Sequence, residues 1–376
     1  MPKTRQKEAN IFRQRRELFD YLEDYMAKSY EKLKEEGQLE YEQNLLKSYI
    51  VETNIDLKSF YNNFTGELDL KLKKFDDKDI YNLTYSKKDD LGATFYLDTM
   101  NPRFWVFHTI GDVKSTDYFI RKIVSPVLSR LDHPWLDKQL LLKIKEKNAD
   151  ITRGIGIQYK YGQIFPTEDD NGETFTMRVW GSVSDELLKQ LSDIGALKHM
   201  LSLTSVGFKK GIELNEEKTY TVIEDLNYQC KFSVKGTSVY EHLDILDNVQ
   251  TEYETILTNI EDNYNFVYEK RENSISIDGQ PILIVLKREI KDLETFLNVI
   301  ISSKYPFRFA GFYKEIGKDL FTVSGIDLHN GDNFDFEITP EWIRIYLQKG
   351  SCGNTVLRFL SNLQRYYDSN AFFEGI

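Results

Sequence analysis

"IDGQPILIVLKREIKDLETFL", residues 277–297, carries two periodicities end to end, and the point where one gives way to the other decides the fold class. Up to Val285 the stretch is β-branched and apolar around Asp278-Gly279, the pattern of two strands joined by a tight hairpin turn. From Ile290 onward Leu293, Phe296, Leu297, Ile300 and Ile301 recur at helical spacing, which predicts a helix with Glu289 in its first turn. Strand and helix follow each other in series, so the chain is expected to be α+β.

The same residues pose a chemical question. An Asp, an apolar run and then Glu-Ile-Lys is the order in which many metal-dependent nucleases present their ligands. Asp278 and Glu289 would bind Mg²⁺ while Lys291 stood near the scissile phosphate or the attacking water. That chemistry needs Glu and Lys two apart on a strand, facing one way. The helical period instead gives Asp278 to a turn and Glu289 to a helix start, where the helix dipole accounts for an acid. The preferred expectation is therefore no catalytic set, no metal and no cofactor. The alternative is a Mg-dependent nuclease-like enzyme of an antiviral or mobile-element context, built on Asp278, Glu289 and Lys291.

Ahead of this stretch the sequence opens on a charged segment with no apolar signal core, and no later run approaches the ~20 apolar residues of a membrane span. A cytoplasmic chain without membrane contact is expected. Lys3, Arg5, Lys7, Arg13, Arg15 and Arg16 make a basic N-terminus on a chain whose net charge is −11, so nucleic acid is expected only at local basic patches. Leu18, Leu22, Tyr25, Met26, Tyr30 and Leu33 predict an amphipathic helix. Leu45, Leu46, Tyr49 and Ile50 predict a second helix, to about Thr53, closing a helical hairpin.

The 376 residues, 41% of them hydrophobic, suit more than one core. The expected divisions are a helical hairpin over 1–60, a small α+β region over 61–148, a middle α+β domain over 149–236 and a C-terminal α+β domain over 237–376. In the second region Ser115 or Thr116 is expected to cap a helix that Pro126 bends. In the third, Ile155, Ile157 and Tyr159 alternate with Gly154, Gly156 and Gln158, a half-buried strand with a bare face.

Two cysteines, Cys230 and Cys352, exclude a disulfide scaffold and a thiolate zinc site. The five histidines show no metal-binding spacing. Arg103 and His108 have the R-x4-H spacing of helical ribonucleases, but on a β-rich stretch with no second His nearby in sequence. In "LQKGSCGNTVLRFLSNLQRYY", residues 347–367, glycines lead into an amphipathic run, so free N–H groups at a helix start could face an anion, with Lys349 and Arg358 as counter-charges and Cys352 beside them. In "KYPFRFAGFYKEIGKDLF", residues 304–321, Lys304, Arg308, Lys314 and Lys318 interleave with aromatics, a composition that suits stacking on a single strand and also core packing. These readings converge on a non-enzymatic interaction subunit of a larger assembly. Its expected partner is a protein or a second copy of the chain, with nucleic acid reached through Arg13, Arg15, Arg16, Lys304, Arg308, Lys349 and Arg358.

Overall fold

A computed structural model describes residues 12–36, 44–86, 92–165, 174–215, 218–271 and 274–375. The fold is α+β. It opens with α1 (Arg15–Glu36), β1 (Leu46–Thr53), α2 (Leu57–Phe64), β2 (Asp69–Lys74), β3 (Ile80–Ser86), β4 (Ala93–Asp98), β5 (Phe104–Thr109), α3 (Val113–Val124) and β6 (Leu131–Asp132). Then come α4 (Lys138–Asn148), β7 (Ile151–Lys160), β8 (Thr174–Trp180), α5 (Ser184–Ser192), β9 (Leu203–Asn215), β10 (Lys218–Asn227), β11 (Lys231–Gly236) and α6 (Val239–Asn263). The chain ends with β12 (Asn265–Arg271), β13 (Ser274–Asp278), β14 (Ile282–Val285), α7 (Leu293–Ile300), β15 (Phe309–Gly317), β16 (Leu320–Asp327), β17 (Asn333–Ile338), β18 (Trp342–Gln348), α8 (Asn354–Tyr366) and β19 (Phe372–Glu374).

Two compact units result. The first comprises the described parts of Met1–His133, Lys210–Asp225 and Lys231–Leu246; the second, those of Pro134–Lys209, Leu226–Cys230 and Asp247–Ile376. In the first unit the strands run β2-β3-β4-β5-β1-β11-β10, with β6 also on β1. Phe60, Phe95, Phe107 and Phe119 are fully buried against one face of this sheet. Asp112 caps α3, its carboxylate accepting from Ser115 N at 2.9 Å. The expected cap at Ser115 or Thr116 is displaced because an Asp at the extended position ahead of the turn reaches the free N–H. Pro126 does not bend α3. The helix ends at Val124 with Ser125 as its C-cap, because Pro126 has no N–H with which to continue the hydrogen-bond ladder.

The predicted helical hairpin is corrected here. Residues 46–53 form β1, not a second helix, and all eight are buried. A strand covered on both faces loses its period of two, and Leu45, Leu46, Tyr49 and Ile50 then imitate helical spacing. Its polar residues are each matched: Lys47 Nζ donates to the Gly111 carbonyl at 2.6 Å, and Glu52 pairs with Arg103 at 2.9 Å.

In the second unit β7 lies between β8 and β9, with Ile155 and Ile157 buried as expected. A separate sheet runs β13-β12-β18-β17-β16-β15, with β14 pairing β18 and β19. The residues of α8 are all buried. Asp278-Gly279 does not turn between paired strands. β13 pairs back on β12, while β14 pairs elsewhere. Gly279 holds φ +102°, and a Cβ there would meet the Asn265 carbonyl at 2.2 Å, so the glycine serves a close backbone crossing. The helix after β14 begins at Leu293 rather than near Ile290. Asp292 caps it by accepting from Thr295 N at 3.0 Å, which leaves Glu289 and Lys291 in the connecting segment.

Candidate interaction surface and buried polar clusters

The separate sheet of the second unit has one packed and one open face. Val323, Phe334, Phe336 and Ile345 point inward and are buried, so the alternate residues of β15, β16, β17 and β18 point out. On that outer face Phe312 is 72% and Ile326 43% exposed. With Ser324, Asn333, Asp335 and Gln348 they line an open concavity of about 530 Å³. Gly311 and Gly325, opposite each other in the β15/β16 register, contribute backbone to its lining. A Cβ on Gly325 would come within 2.7 Å of Phe334 Cζ. Asp335 accepts from Ser324 Oγ at 2.5 Å, which sets a carboxylate in the concavity. β15 ends the sheet: Ala310 bridges to Ser302, and no strand pairs with the outer edge beyond it among the described residues.

The aromatic-basic stretch is thus divided. Phe307 and Phe309 are buried, Arg308 is buried in the turn ahead of β15, and Lys304 and Lys314 are exposed. Asp278, at the end of β13, is on a different segment from Glu289 and Lys291, which share the connection from β14 to α7; all three are exposed. Among the described residues no group of three or more His, Cys, Asp or Glu is gathered to hold a metal.

The basic N-terminus falls partly outside the described residues, which exclude Lys3, Arg5 and Lys7. Arg13 and Arg16 are exposed, Arg16 lying 3.6 Å from Asp20. Arg15 grips both oxygens of Asp98, and Phe12 packs on Tyr21 and Tyr96 with ring centroids 5.0 and 5.5 Å away. Residues from Phe12 are therefore docked.

The start of α8 offers its N–H groups inward. Cys352 N donates to Asp332 Oδ2 and Gly353 N to Glu261 Oε1, both at 2.8 Å, so the chain's own carboxylates occupy the position an anion would take. Arg358 is fully buried and donates to Asp327 Oδ1 at 2.5 Å, while Asp327 Oδ2 accepts from Thr355. Lys349 is exposed at the end of β18. Cys352 is buried.

Sequence reasoning missed a polar chain in the first unit. Ser48 on β1 stands directly opposite His108 on β5, and its Oγ lies 2.8 Å from His108 Nδ1 and 2.8 Å from His242 Nε2. His242 Nδ1 lies 2.7 Å from Glu224 Oε1. The Ser48 hydroxyl thus bridges the two imidazoles, and the tautomers of His108 and His242 set which member of each pair donates. The order Ser-His-Glu is that of a hydrolytic triad. All four residues, however, are 1% exposed or less, so no acyl group can reach Ser48 in this structure. Burial, with the neighbouring His242, holds the His108 imidazole down at about 3, and burial pushes the Glu224 carboxyl up against the opposing pull of His242. The second histidine that His108 lacked in sequence was 134 positions away, beyond any spacing motif.

No helix among the described residues is long and apolar enough to cross a membrane. Comparison with known proteins places the chain in a family. A curated relative, "Uncharacterized protein MJECL33" of Methanocaldococcus jannaschii, is 33% identical over 396 aligned positions, spanning 96% of this chain and 93% of the relative. The family model described as MJECL33-like protein matches residues 6–376, and the chain belongs to that family.

Proposed function

We propose that this chain is a non-enzymatic interaction subunit that docks an extended segment of another polypeptide on the outer face of β15–β18. The observation that carries this reading is Phe312, a large aromatic side chain 72% exposed at the rim of a concavity and on the free edge of its sheet. An unpaired edge accepts a further strand through main-chain hydrogen bonds, and side-chain pockets beside it give selectivity. Asp335 within the concavity opposes phosphate and favours a segment bearing Lys or Arg next to an apolar residue. The net charge of −11 steers the same kind of partner.

Binding to an array of short immobilised peptides tests this. The reading expects binders that pair apolar with basic residues, at least tenfold weaker binding by Phe312→Asp, and a shift toward acidic peptides with Asp335→Lys. Binding indifferent to both substitutions, or no binding by the wild-type chain, overturns it.

A further inference from the structure

Arg365 on α8 has a setting unlike any other arginine described above. It is 7% exposed, and one nitrogen, Nη2, donates to Gln158 Oε1. Its Nε and Nη1 are buried with no hydrogen-bond partner. The guanidinium lies 4.2 Å from the Tyr228 ring centroid and 5.7 Å from that of Tyr366. The ring faces stabilise a cation, and the Tyr366 hydroxyl also accepts a hydrogen bond from the guanidinium, which still leaves Nε and Nη1 without an acceptor. No carboxylate pairs with it among the described residues. A buried permanent charge with open donors is costly unless a counter-ion completes it.

The strand that holds Gln158 shows the same bias. Gly154, Gly156, Gln158 and Lys160 alternate onto one face of β7, and across the β7/β8 register they meet Trp180, Arg178, Thr176 and Thr174. That lane carries two cations and no acid on a protein of net charge −11. Lys160 is held below its ordinary value by partial burial and by the charge of Arg365. Trp180, 57% exposed and opposite a glycine, presents a flat aromatic surface at the far end.

We infer that Arg365, with Lys160 beside it, forms a binding site for a phosphate oxyanion bordering the acid-free lane of β7 and β8. The ligand supplies the acceptors that Nε and Nη1 lack. Free phosphate and the backbone of a single strand share this chemistry, and the strand could in addition stack on Trp180.

The test titrates the full chain with inorganic phosphate, and separately with a short single-stranded oligonucleotide, against chloride at matched ionic strength. Thermal midpoint and calorimetric binding are read for the wild type, Arg365→Met and Lys160→Met. A midpoint that rises with phosphate or oligonucleotide in the wild type, with affinity at least tenfold lower in Arg365→Met and measurably lower in Lys160→Met, supports the site. Response to both ligands assigns a polynucleotide source; response to phosphate alone assigns a small phosphate. Wild-type protein that treats phosphate and oligonucleotide like chloride overturns the inference whether or not the variants fold. So does a response that Arg365→Met retains.

Discussion

Arg358 and Arg365 stand seven residues, about two turns, apart on the same helix, and both are buried. The first is answered by Asp327 and by the Phe307 carbonyl, 3.3 Å from its Nε. The second is answered by one amide oxygen, the Tyr366 hydroxyl and two aromatic faces, with no carboxylate. The difference separates a charge that the fold neutralises for its own stability from one left for something outside the chain. Burial alone does not distinguish them; the inventory of acceptors does.

The largest effect is expected where compensation is complete. Asp327→Ala leaves Arg358 charged and unpaired inside the unit, which should cost about 3–5 kcal/mol in chemical denaturation. A loss below 1 kcal/mol would mean that Arg358 is compensated by other groups and that the contrast with Arg365 is weaker than drawn.

A second closed cluster extends the contrast to pH. His108 is held near 3 in the folded chain against an ordinary value of 6.5, so the unfolded state binds the extra proton between those limits. Stability from this group is full above about 6.5 and is lost as pH falls toward 3, with a slope of up to ~1.4 kcal/mol per pH unit. Glu224, pushed up by burial, acts with the opposite sign above its unfolded value. His108→Asn should therefore flatten the acid side of the stability profile. An unchanged slope would show that His108 does not stay neutral in the fold.

Arg365→Met comes next. Replacing an incompletely answered cation with an apolar side chain of similar length should change stability by no more than ~1 kcal/mol, and the change can be favourable. A destabilisation as large as that of Asp327→Ala would place Arg365 with Arg358 as a structural residue. The smallest effect belongs to the open surface. Phe312→Asp touches no core contact and should stay within about 0.5 kcal/mol of the wild type by thermal unfolding, so any loss of peptide binding reports the surface itself.

Much of the fold was legible where periodicity is clean. The amphipathic helix carrying Leu18 to Leu33, the strand at Ile155–Tyr159 and the β-rich stretch at Phe104–Thr109 all stand as expected. β1 was illegible because Lys47, Ser48 and Glu52 are polar letters buried in a central strand, each matched by a partner far along the chain. The same long range hid Glu224, His242 and Arg365: nothing within a few positions of Arg365 tells that Gln158, 207 residues away, is its acceptor. Phe312 was visible as part of an aromatic run. Its exposure was not, since that depends on which strand ends the sheet.

The claim that α8 carries one structural and one binding arginine is tested most directly at the two side chains. In a spectrum of arginine Nε–H groups, assigned through the loss of each signal in Arg358→Met and Arg365→Met, phosphate should shift the Arg365 signal and leave that of Arg358 in place. Movement of neither signal, or of both equally, would contradict the account.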